Sequence, residues 1–125
     1  MENLPIIIMH NFKQLEIWRK SQALCIGVYE ATNDFPKEET FGLQSQIRRS
    51  AVSIPSNIAE GTSRNSNKEV VRFIEIALGS AYELETQLMI ASRLKYLENS
   101  IFESLSEELI SIIQMSIKFR KRLKS

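Results

Sequence analysis

The run Lys118-Phe-Arg-Lys-Arg-Leu-Lys124 sets five basic residues within seven positions and no acid among them. Such a run creates a local positive field that can hold phosphate groups, and it also complements the negative end of a helix. Lys118, Arg120, Lys121 and Arg122 are therefore candidate nucleic-acid contacts, and Arg64, Lys68 and Arg72 form a second basic group. A third candidate set lies in the stretch Arg48-Arg-Ser-Ala-Val-Ser-Ile-Pro-Ser-Asn-Ile-Ala-Glu-Gly61. There Arg49, Ser53, Ser56, Asn57 and Glu60 make a polar stripe able to hydrogen-bond within the helix, to a neighbour or to a ligand, with Arg48 on the adjoining flank.

Residues for bond-making chemistry are scarce. The chain has one histidine, His10, one cysteine, Cys25, and one aspartate, Asp34. One imidazole and one thiol cannot assemble a histidine-based metal site or a serine–histidine triad within one chain. No glycine-rich phosphate loop is present, and Glu83 and Glu85 do not face each other on a helix. The expectation is a non-enzymatic protein with no metal and no cofactor. Cys25, beside Leu24 and Val28, reads as a buried thiol of a reducing cytoplasm. The apolar run Leu4 to Met9 is too short for a membrane span, so no membrane partner is expected.

The elements that must position these residues are helical. With 125 residues, 43% apolar, four glycines and three prolines, the chain is one domain with little room for turn-rich β architecture. Residues 1–10 read as a flexible N-terminal extension and residues 11–125 as the folded domain. A first helix is expected from Asn11, capped with Gln14, with Ile17, Trp18, Ser21, Leu24, Cys25 and Val28 on one face. Pro36 stops it. A second is expected from Thr40 to a left-handed Gly61. A third opens with the capping spacing Ser66 to Glu69 and reaches Lys95, and a fourth opens with Ser100 and Glu103. Short connections make these helices an up-and-down antiparallel four-helix bundle, an all-α fold.

The third helix is more apolar than a bundle requires. Beside its core stripe it carries Val71, Leu78, Tyr82 and Met89, and further round Ile76, Ile90 and Leu94. A helix apolar over most of its circumference is buried on more than one side, which points to a second copy of the chain. Glu85 lies between the two stripes and wants a cation; Arg48 or Arg49 is the expected partner, as an interface or inter-helix lock. Within the second helix Pro55 removes one donor and crowds the carbonyl of Ala51, which predicts a kink.

The stretches "NFKQLEIWRKS", "FPKEETFGLQSQIRRSAVSIPSNIAEGTSRNS" and "FIEIALGSAYELETQL" resemble the bacterial four-helix-bundle family named for open reading frames in intervening sequences of 23S ribosomal RNA genes. The resemblance spans about His10 to Leu97 and begins after Met9, which makes Met9 an alternative start of translation. It implies a homopentameric ring. It also implies a distant likeness to the basic, nucleic-acid-binding accessory protein of diversity-generating retroelements. The family motif falls on Arg48, Arg49, Ser53, Pro55, Asn57, Glu60 and Gly61, and on Glu83, Glu85 and Gln87. Leu78, Tyr82 and Met89 join these as expected interface residues. A net charge of +1 departs from the strongly basic retroelement relative, so affinity for RNA or DNA must come from a local patch. The expected function is an oligomeric bundle binding structured RNA or another nucleic acid through phosphates; a scaffold ring for a protein partner is the alternative.

Overall fold

A computed structural model describes residues 11–125, and the expected extension at residues 1–10 lies outside the described residues. Four helices follow in order: α1 (Glu16–Thr32), α2 (Leu43–Thr62), α3 (Asn67–Arg93) and α4 (Asn99–Lys124). Each packs on its sequence neighbours and α1 closes against α4, giving an up-and-down antiparallel bundle. Ile17, Leu24 and Val28 of α1, Ile47, Ile54 and Ile58 of α2, Ile74, Leu84 and Leu88 of α3, and Leu109 and Ile112 of α4 form one buried core. Trp18 and Cys25 fall on the edge of that stripe. Cys25 is half-buried rather than fully buried, and lost hydration raises its thiol pKa.

The helix ends differ from the sequence expectations, each for a local reason. Asn11 makes no side-chain cap; a 3-10 turn, Phe12–Gln14, precedes α1, where Phe12 packs edge-on against Trp18 at 5.0 Å. Ahead of α2, the Glu39 carboxylate accepts from the Leu43 N–H at 2.9 Å, so the helix begins three residues beyond Thr40. Ser66 does cap α3, accepting from the Glu69 N–H at 3.2 Å. Ser100 lies within the first turn of α4, whose N-cap is Glu98 without a side-chain bond.

Gly61 is not a left-handed terminus. It sits buried in right-handed helix, where an added Cβ would fall 2.6 Å from the Phe73 Cβ. Its service is close approach of α2 to α3. The left-handed position belongs instead to Lys95, at φ 65°, after α3. There the Tyr96 N–H reaches the Ala91 carbonyl and the Lys95 N–H reaches that of Ser92, both at 2.9 Å, the bonding of a Schellman motif. α2 runs unbroken across Pro55.

Candidate nucleic-acid interface

The antiparallel order brings together basic residues that are far apart in sequence. The start of α3 meets the end of α4, where the Asn67 amide donates to the Leu123 carbonyl at 3.3 Å. The start of α1 meets the same end of α4 across an apolar cleft lined by Leu15, Ile17, Met115 and Phe119, with Lys118 and Arg122 also on its wall. Arg64, Lys68, Arg72 and the C-terminal cluster therefore share one end of the bundle, joined there by Lys13, Arg19 and Lys20. Residues 13–20, 60–75 and 118–124 hold eleven Lys and Arg against four Glu. Residues 30–49 and 83–108, which build the other end, hold ten Asp and Glu against five Lys and Arg. The near-zero net charge thus hides a strong polarity along the bundle axis.

Not every cation at the basic end is equally free. Arg64 pairs with Glu60 at 2.8 Å and stacks over Phe73 at 4.9 Å. Arg72 also lies over that ring, at 5.8 Å. Arg120 and Lys124 approach the Glu75 carboxylate at 3.8 and 3.9 Å, long ion pairs at an exposed site. Lys68, Lys118, Lys121 and Arg122 make no ion pair among the described residues. These four, like Lys13 and Lys20 at the same end, present their charges to solvent and are available for phosphate.

Arg48 and Arg49 lie in α2 toward the acidic end and do not join this cluster. The expected lock to Glu85 does not form within the chain. Arg48 instead donates Nε to the Thr32 hydroxyl at 2.9 Å, and one terminal nitrogen to the Tyr29 carbonyl and the Asn33 side-chain oxygen, each at 3.1 Å. Its guanidinium lies 4.5 Å from the Tyr29 ring centre. The Arg48 side chain lies on the α1 side of α2, where neutral acceptors and a ring hold it, whereas Glu85 stands on α3; a pairing of charges by sequence does not see these neutral partners. Ser53 shares a 2.8 Å hydrogen bond with Ser80, and Asn57 donates to the Ser53 carbonyl and hydroxyl at 2.8 and 2.9 Å. These motif residues join α2 to α3.

The surplus apolar surface of α3 divides in two. Val71 and Leu78 are buried in their own bundle, so Leu78 is a core residue in this chain rather than an exposed interface residue. Tyr82 and Met89 remain 48% and 49% exposed, and Ile76, Ile90 and Leu94 are also open to solvent. Glu39 was missed from sequence: one carboxylate oxygen caps α2 and the other accepts from the Tyr96 hydroxyl at 3.2 Å. Its signal is an acid four residues ahead of the first helical residue. No group of metal ligands occurs among the described residues, and none of their helices is long and apolar enough to cross a membrane.

Comparison with known proteins agrees with this architecture. A crystal structure of a protein of unknown function from the S23 ribosomal protein family of Bacteroides thetaiotaomicron superposes with a TM-score of 0.76 at 26% identity, covering 84% of this chain and 98% of that one. No curated protein matches the chain. Residues 13–118 match the family described as 23S rRNA-intervening sequence protein, and the chain belongs to that family.

Proposed function

We propose that this protein is a non-enzymatic homo-oligomer, of five copies as the family resemblance implies, that binds structured RNA through phosphate contacts at its basic end. The observation that supports this most is the convergence of Arg64, Lys68, Arg72 and residues 118–124 on one end of a bundle whose other end is acidic. A polyanion is drawn to the first and turned from the second, which fixes orientation as well as affinity. Rotational assembly repeats that end at one height around the axis, so weak phosphate contacts add as avidity. Tyr82, Met89, Ile76, Ile90 and Leu94 supply apolar surface for such an assembly, with Glu85 available to a cation of the next copy. The setting is the cytoplasm.

The test is RNA affinity as a function of salt. Replacing Lys118, Arg120, Lys121 and Arg122 together by glutamine weakens binding and flattens its salt dependence, by about 0.9 in log–log slope for each duplex phosphate that is no longer neutralised. An unchanged slope excludes this end as the binding surface. Absence of RNA binding by the unaltered protein favours the scaffold alternative, with a protein as the partner.

A further inference from the structure

A groove of about 670 Å³ runs between the end of α1 and the first half of α2, away from the basic end. Its size lies in the range of small-molecule sites, roughly 300–1,000 Å³. Tyr29, Phe41, Gln44, Arg48 and Arg49 line it, and no acid does.

Three of these groups keep capacity that the fold does not use. Phe41 is 96% exposed, an aromatic ring without a packing role in its own chain. Arg48 is held by Thr32, Tyr29 and Asn33 through Nε and one terminal nitrogen, which leaves its other terminal nitrogen without a hydrogen-bond partner among the described residues. Gln44 donates its amide nitrogen to the Thr32 carbonyl at 2.7 Å, so its amide oxygen is an open acceptor. Arg49 adds a second guanidinium with no ion pair among the described residues. An exposed ring, two guanidinium groups and an amide acceptor are together complementary to a planar, hydrogen-bonding ring that carries a dianion.

We propose that this groove binds a single free nucleotide, its base stacked on Phe41 and its phosphate held by Arg49 and the open nitrogen of Arg48. The surroundings favour one nucleotide over a strand. This end of the bundle carries ten Asp and Glu against five Lys and Arg over residues 30–49 and 83–108, so a phosphate chain continuing beyond the groove runs over a surface of net negative charge. The two guanidinium groups also suit a phosphate better than the lone carboxylate of a peptide side chain. The site lies at the other end of the bundle from the proposed RNA surface and does not rest on it.

Isothermal titration of the full chain with adenosine 5′-monophosphate, inorganic phosphate and single-stranded oligoadenylate tests the assignment. The monophosphate binds more tightly than inorganic phosphate, and Phe41→Ala lowers its affinity by roughly five- to a hundredfold, the loss of one stacked base. Phe41→Trp retains the affinity, and neither substitution changes inorganic phosphate binding. Because Phe41 packs on nothing in its own chain, the variants keep the fold. Equal affinity for the monophosphate and inorganic phosphate, no binding, or an unchanged Phe41→Ala variant would overturn the site. Tighter binding of oligoadenylate per nucleotide would overturn the free-nucleotide assignment. A change in oligomer mass on Phe41→Ala would make the groove an interface between copies instead.

Discussion

Arg48 fastens α1 to α2 through a relay of polar groups. The Thr32 hydroxyl gives its proton to the Val28 carbonyl at 2.9 Å, which leaves an oxygen lone pair facing the Arg48 Nε. Thr32 is fully buried, so this acceptor has no water to fall back on. Arg48→Ala removes three hydrogen bonds and the stacking on Tyr29, and the expected cost is about 1.5–3 kcal/mol, read as a fall in thermal midpoint. Arg48→Lys recovers little, because an ammonium cannot reproduce the forked donors and the stack. Tyr96 reports a second polar tie. Loss of hydration first, and the accepting Glu39 carboxylate second, raise its phenol above the usual tyrosine value. The folded protein therefore holds this proton where the unfolded chain has released it. The contribution is complete below about pH 10 and is lost as pH rises through the folded value. Chemical denaturation across the alkaline range is expected to show a steeper loss for the unaltered protein than for Tyr96→Phe. Neither tie is fully legible in the sequence. Arg48 and Glu39 stand out as charged residues, but their acceptors and donors include backbone groups and hydroxyls that only the helix register supplies.

At the scale of elements, the helical repeat of Leu24 and Val28, of Ile47, Ile54 and Ile58, and of Ile74, Leu84 and Leu88 is legible because apolar spacing is a property of the chain itself. The ends are less so. Gly61 has the composition of a helix stop, yet tertiary packing against Phe73 gives it another task. Gly61→Ala is expected to cost about 1–3 kcal/mol, since the new methyl meets the base of a ring side chain that cannot swing away. A denaturant midpoint measurement checks this, and a neutral result would mean that α2 and α3 are not so closely packed. Lys95 carries the left-handed conformation at the end of α3, a position where glycine is easier. Lys95→Gly should therefore raise stability by up to about 1 kcal/mol.

At the scale of the whole molecule, each basic group is visible in the sequence, while their convergence needs the antiparallel order of the helices. That order itself follows from short connections, so the polarity of the bundle is legible only after the ends are assembled. The groove at Tyr29, Phe41 and Arg48 is different, because its members come from α1, the connection and α2 and share no spacing pattern. Aromatic and basic residues interleave there in space and not along a strand. The central claim joins assembly to cargo, and native mass spectrometry of protein purified at low salt without nuclease reads both at once. A mass of five chains with RNA attached is the predicted result. A monomer free of nucleic acid would contradict it.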